Sequence, residues 1–243
     1  MSDSNMVVQK TLHRSASRGG ANFGWLQSRH TFSFGGYFNP ERVHFGALRV
    51  LNDDLVAPGS GFPTHPHDNM EIITIPLEGA LEHKDTTGTD GVIRTGDVQI
   101  MSAGTGIAHS EYNHSDDDPV KFLQIWVLPA KRDIEPRYEQ KTFVIEDRKN
   151  RFQTIVSPDP AGDALWINQQ AYFSLAELDK GQELHYEMKN PANGVYFFLI
   201  EGSATVGEET LGYRDGLGVE GLASVPIKAT SPAQILAMEV PMA

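Results

Sequence analysis

The chain has 243 residues, a formal net charge of −12 and no cysteine. Disulfides, thiolate metal sites and cysteine nucleophiles are thereby excluded, and any metal must be held by nitrogen and oxygen ligands. The acidic balance argues against direct nucleic-acid binding, which rests on basic patches that neutralise phosphates.

Residues 1–9 are polar and lack the basic-then-apolar pattern of a signal peptide. No apolar run approaches the roughly 18 residues of a membrane span, so a cytoplasmic protein with no membrane partner is expected. Arg14 and Arg18 precede a segment rich in glycine and aromatics. There His30, Trp25, Phe32, Phe34, Tyr37 and Phe38 are expected mainly in a core or domain seam, with a pocket wall as the alternative. Residues 44–51 read as a strand entering a turn at Asn52-Asp53-Asp54.

The next stretch, from Gly59 to Asn113, holds two short runs, His65-Pro66-His67 and His109-Ser110-Glu111. In a strand, residues i and i+2 share a face about 7 Å apart, so each run offers two ligands to one side. If the two strands neighbour each other at about 4.8 Å, three imidazoles and one carboxylate converge on a single ion. Glycine-rich turns, Pro58-Gly59-Ser60-Gly61 and Ala103-Gly104-Thr105-Gly106, precede both runs and allow sharp bends close to a site. A lone His-x-His is more often a surface or hydrogen-bonding pair, but two such runs tip the balance to metal. His13, His44, His83 and His114 have no partner at strand spacing and are read as surface or hydrogen-bonded residues.

Between and after these runs, residues 70–77, 98–101 and 122–128 read as strands, with a hairpin turn at Asp85-Thr86-Thr87-Gly88. The acidic triplet Asp116-Asp117-Asp118 reads as a solvated turn. No stretch in this half sustains helical periodicity with caps, so an antiparallel sandwich or barrel is expected. Residues 129–136 read as a linker. Beyond it, residues 171–178, 195–200, 203–206 and 234–240 read as strands of a second β-rich half. Its Gly181-Gln182-Glu183-Leu184-His185-Tyr186-Glu187 looks like a worn copy of the first His run, with Glu187 in place of the second histidine. No later His pair completes a site, so this half is expected to be structural.

Gly59, His65-x-His67, Glu71 and Gly79, followed by Gly96, Gly104, His109 and Asn113, resemble the two cupin motifs. Within the cupins, Thr64-His65-Pro66-His67, Leu77-Glu78-Gly79 and the run from Met101 to Glu111 are similar to the pirin family, as are Gly24-Trp25-Leu26 and His30-Thr31-Phe32-Ser33-Phe34. A typical cupin would nominate Glu71 as the carboxylate ligand, whereas the pirin resemblance nominates Glu111. Period-2 geometry agrees with Glu111, which shares a face with His109. The expected fold is therefore all-β, with two tandem cupin barrels at residues 1–134 and 135–243, of which only the first binds metal.

The expected metal ligands are His65, His67, His109 and Glu111, holding one divalent transition metal per chain. The resemblance implies Fe(II), while Mn, Ni, Co, Cu or Zn would also satisfy these ligands. It also implies a quercetin 2,3-dioxygenase-type enzyme, acting on a small aromatic substrate such as a flavonol with O2 and releasing carbon monoxide. Glu111 is the expected catalytic base and a monomer the expected state. The alternatives are a non-enzymatic regulatory metal protein, as in eukaryotic pirins, or another cupin activity on a small oxygenated substrate.

Overall fold

The structure, a computed structural model, describes residues 8–242. Residues 1–7 of the polar opening segment lie outside the described residues. In chain order the first strands are β1 (Gln9–His13), β2 (Gly19–Asn22), β3 (Leu26–His30), β4 (Leu48–Val56), β5 (Gly61–His67) and β6 (Glu71–Glu78). Next come β7 (Ala80–Asp85), β8 (Asp90–Arg94), β9 (Asp97–Ser102), β10 (Ile107–Asn113), β11 (Val120–Val127), β12 (Arg137–Thr142) and β13 (Gln153–Ser157). The rest are β14 (Leu165–Trp166), β15 (Tyr172–Leu178), β16 (Glu183–Glu187), β17 (Asn193–Glu201), β18 (Ala204–Val206), β19 (Glu209–Leu211), β20 (Gly216–Glu220), β21 (Ser224–Ala229) and β22 (Ala233–Pro241). Among the described residues helix is confined to two short 3-10 turns, in accord with the all-β expectation, and no helix is long and apolar enough to cross a membrane.

Two compact units share the chain, and neither is one continuous stretch. One runs from Arg18 to Val144 and adds Ser157–Gln170; the other joins the segment ending at Ser17 to Ile145–Val156 and the chain from Ala171 onward. A single cut after residue 134 does not describe this division. β12 lies beyond that cut yet pairs with β9, Arg137 opposite Ser102 and Thr142 opposite Asp97. β1 lies before it yet pairs with β20.

In the first unit a large sheet runs β12-β9-β6-β11-β4-β3-β2, and a smaller one β5-β10-β7-β8. β6 is a largely apolar, β-branched run and β9 a mixed one with buried Asp97, Gln99 and Ser102, and nearly every residue of both is buried, as strands covered on both faces require. Leu26, Val56, Leu81, Ile93, Val120 and Phe122 form one core cluster with members from both sheets, which fixes their face-to-face packing. Gly104, at φ 47°, is the first central residue of the turn that launches β10, and a Cβ there would overlap the Ile134 carbonyl oxygen.

The turn expected at Asn52-Asp53-Asp54 is instead the middle of β4, where Asn52 pairs with His30 on one side and Gln124 on the other. The local sequence favours a turn, but two flanking strands satisfy the backbone and override it. Asn52 and Asp54 are consequently buried polar residues.

The second unit repeats the plan. Its large sheet contains β1-β20-β17-β22-β15-β13 in that order, and its small sheet is β16-β21-β18-β19. Buried side chains from both sheets, among them Leu178, Tyr186, Phe197, Val225 and Ile227, fill its interior.

Candidate metal centre

β5 is an edge strand, and β10 lies between it and β7. His109 sits opposite His65, but the register shifts before Glu111, which falls opposite Phe62. The shift gives β5 one extra residue between those pairs, a bulge of the kind that re-aims side chains beside functional sites. Gly61 permits the close approach, since a Cβ there would overlap the Glu111 carbonyl.

Ring centroids of His65, His67 and His109 lie 4.5–5.0 Å apart. One ring nitrogen from each falls within 4.8 Å of the others. His65 Nδ1 donates to the Pro63 carbonyl at 2.9 Å, which leaves its Nε2 as the lone-pair nitrogen. Nε2 of His67 and Nε2 of His109 are both buried with no hydrogen-bond partner. Burial, followed by the neighbouring His65 charge, lowers the His67 pKa to about 4 and that of His109 to about 2. Both rings are thus neutral near pH 7. Converging neutral imidazoles with orphaned nitrogens suit a divalent cation, which would supply the missing partner.

Glu111 is 1% exposed. Its Oε2 accepts from Gln124 Nε2 at 3.0 Å and its Oε1 from Thr74 Oγ1 at 3.4 Å. It groups with His83 and His109 in a second cluster of candidate ligands, which overlaps the first at His109. The structure therefore brings three of the four expected ligands into one knot and sets the fourth beside their shared member. Burial, and then the Asp54 charge, raises the Glu111 pKa to about 7.

The site opens on a cavity of about 460 Å³. Trp25, Phe34, Phe62 and Trp126 give it apolar walls, and Asn52, Asp54, Gln124 and Glu111 contribute polar groups. Trp126 meets His67 edge-on at 5.0 Å and Phe34 at 5.4 Å. The Asp54 pKa is raised to about 7, chiefly by burial. Glu71 is buried elsewhere, accepting from Ser102 Oγ at 2.8 Å and the Asn168 N–H at 3.2 Å. Burial raises its pKa to about 7.

Residues 11–127 match the family model described as Pirin, and residues 154–240 match one described as Quercetinase C-terminal cupin domain. A quercetin 2,3-dioxygenase of Escherichia coli K12 is 39% identical over 95% of this chain and 98% of its own. The chain belongs to the pirin family. A pirin-like protein of Caulobacter vibrioides is 40% identical over 91% of this chain and 95% of its own. Among solved structures, the Escherichia coli bacterial pirin YhhW in complex with nickel(II) superposes with a TM-score of 0.91 at 37% identity, covering 97% of this chain and all of that one. Two tandem cupin units are thus the pirin fold.

Placed on that pirin fold, two features go beyond the sequence reading: a buried histidine beside the candidate ligands, and a cavity wall that the sequence offered only as an alternative. His83 is fully buried, with Nε2 donating to Asp85 Oδ2 at 2.8 Å and Nδ1 lying 3.5 Å from His109 Nδ1. Its signal was the His83-Lys84-Asp85 spacing, the same period of two as the His runs. The second is the cavity wall: of the early aromatics, Trp25 and Phe34 line it with His30, while Phe32 is core and Phe38 is 73% exposed. In the other unit, His185 and Glu187 are exposed and belong to no candidate metal cluster among the described residues.

Proposed function

We propose that this pirin is a metal-dependent dioxygenase that opens the ring of a flavonol with O2 and releases carbon monoxide, with His65, His67, His109 and Glu111 holding one divalent ion. The observation that carries the reading is a buried carboxylate, its pKa raised to about 7, beside three converging imidazoles at the base of an aromatic-walled cavity. The name of the Escherichia coli relative agrees with it. The metal is Fe(II) by family resemblance, and the nickel(II) complex of the related Escherichia coli pirin supports a site open to other divalent ions.

A bound divalent ion would supply Lewis acidity, lowering the pKa of a substrate hydroxyl and stabilising the anion it leaves. The protein does the rest. Trp25, Phe34, Phe62 and Trp126 bury the aromatic rings and exclude water, which strengthens every electrostatic interaction inside. Glu111 accepts the proton of the flavonol 3-hydroxyl; an imidazole bound through one nitrogen and protonated on the other has no lone pair for that task. In the metal-free protein burial raises its pKa to about 7, so the pocket itself favours a proton on this carboxyl. Gln124 and Thr74 hold the carboxylate in place through their hydrogen bonds. Dioxygen then adds to the deprotonated ring, which opens as carbon monoxide leaves.

The test is aerobic quercetin consumption and carbon monoxide release by metal-loaded wild type and Glu111→Gln. The glutamine keeps shape and an oxygen ligand but loses basicity, so turnover should fall about 10²–10⁴-fold at comparable metal content. Equal rates would assign the base elsewhere. Absence of turnover by wild type loaded with Fe, Mn, Ni, Co or Cu would move the reading to a regulatory metal-binding protein or another substrate.

A further inference from the structure

We propose that His83 and Asp85 are positioning residues that fix the ring tautomer of His109, so that His109 presents the lone pair of Nε2 to the ion. The inference rests on His109 being a metal ligand. It is read from a chain of hydrogen bonds whose direction is set at its far end. Asp85 Oδ1 accepts the Thr87 N–H at 2.8 Å, the Thr87 hydroxyl at 2.6 Å and the Thr89 N–H at 3.3 Å. Its Oδ2 faces His83 Nε2. An ionised carboxylate only accepts, so the proton in that contact belongs to His83 Nε2.

A neutral imidazole protonated on Nε2 has its lone pair on Nδ1. That nitrogen faces His109 Nδ1 at 3.5 Å, so His109 is the donor and carries its proton on Nδ1. The lone pair of His109 is then on Nε2, the nitrogen that is buried without a partner. The Tyr138 ring packs against His83 with centroids 4.5 Å apart and planes tilted by 32°. The Tyr138 hydroxyl is directed away, donating to Gln140 Oε1 at 2.9 Å. A contact of 3.5 Å is a long hydrogen bond, so the expected effect is that of an outer partner rather than of a ligand.

Asp85→Asn tests this without touching His109. The Thr87 and Thr89 N–H groups are donors that cannot reverse, so they hold the amide oxygen and turn the Asn NH2 toward His83. His83 must then accept on Nε2 and carry its proton on Nδ1, which pushes the proton of His109 onto Nε2. Zinc(II) affinity, measured by competition with a chelator, should fall about 10–100-fold. Imidazole ¹⁵N shifts of metal-free wild type should show His109 protonated on Nδ1, and those of Asp85→Asn should show it on Nε2. His83→Phe releases His109 without forcing the wrong tautomer and should lose less affinity than Asp85→Asn.

Wild-type affinity and unchanged tautomers in Asp85→Asn would overturn the inference. So would zinc(II) binding that is abolished in His83→Phe yet retained in Asp85→Asn, which would make His83 a ligand itself. Should Asp85→Asn not fold, metal-free wild type with His109 protonated on Nε2 would suffice to overturn it. Failure of the underlying ligand reading looks different: His67→Ala and His109→Ala would bind zinc(II) as wild type does, while the tautomers could still follow the relay.

Discussion

β5 and β16 occupy the same place in their small sheets, each an edge strand paired with the strand that precedes the rest of the ladder. In β5 the inward positions of the first histidine run are His65 and His67, with Thr64 and Pro66 exposed. In β16 the phase is reversed: Leu184 and Tyr186 are the sheltered residues and His185 and Glu187 face solvent. Because side chains alternate with a period of two, an offset of one residue moves a whole set from one face to the other. The neighbouring strands follow suit. β10 turns His109 and Glu111 inward, whereas β21 turns Val225 and Ile227 inward.

This difference decides what fills each barrel. Tyr186 occupies the second interior, packed edge-on against Phe152 and Phe197, and its hydroxyl donates to Glu239 Oε2 at 3.1 Å. Glu239 is completed by the Lys189 and Asn190 N–H groups and by Asn193 Nδ2. In the first unit the inward polar groups cannot interlock as aliphatic side chains do, and a cavity remains over them. One fold thus carries a hollow unit with two buried ring nitrogens that have no hydrogen-bond partner and a filled unit whose buried carboxylate is satisfied.

The comparison can be broken most directly at its ligands. His109→Ala and His67→Ala should each weaken divalent-metal affinity by more than about 100-fold, beyond the range expected for an outer partner, and Glu71→Gln should retain the metal. Elemental analysis of purified variants checks both, and full occupancy in the histidine variants would break the hollow-unit reading. In the filled unit, Tyr186→Ala should instead cost about 3–5 kcal/mol of stability, through its cavity and the lost donor to Glu239. Urea denaturation checks this, with metal content expected at the wild-type level.

A smaller effect concerns the cavity carboxylates. Burial raises the Asp54 pKa from its ordinary 3.8 to about 7. Between about pH 4 and pH 7 the unfolded chain releases a proton that the folded, metal-free protein retains, so its stability should decline as pH rises through that window. Asp54→Asn should flatten part of this slope, leaving the share of Glu71 and Glu111, which have the same sign. An unaltered slope in urea titrations across that range would refute it. Smallest of all, His185→Ala should leave metal stoichiometry and affinity unchanged. If it removed a second equivalent, the filled unit would be a metal site after all.

Legibility in the sequence followed the strength of local pattern. β6, β9, β11, β15, β17 and β22 were readable because apolar β-branched runs announce strands wherever they pair. β4 was misread at Asn52-Asp53-Asp54, because polar residues serving a cavity wall look like turn residues until the flanking strands are known. The histidine runs were readable because a period of two survives any strand pairing. The bulge that sets Glu111 opposite Phe62 was not, since it arises between two strands rather than within one. His83-Lys84-Asp85 carries the same spacing but shows no ligand pair, because the contacts of His83 with Asp85 and His109 are set by the pairing of β7 with β10.

The pairing of β1 with β20, Gln9 opposite Glu220 through His13 opposite Gly216, also bears on how the protein is born. Synthesis completes β2 to β12 long before β20 leaves the ribosome, so the two sheets of the first unit can close while β1 is still without its partner. β1, the first strand among the described residues, is therefore seated late, after a loop reaching from its end at His13 to β20 has closed. An unpaired strand kept waiting is a template for aggregation. The composition of β1 suits that wait: Gln9, Lys10 and Thr11 remain solvent-exposed even in the finished protein, and only the far end of the strand is buried.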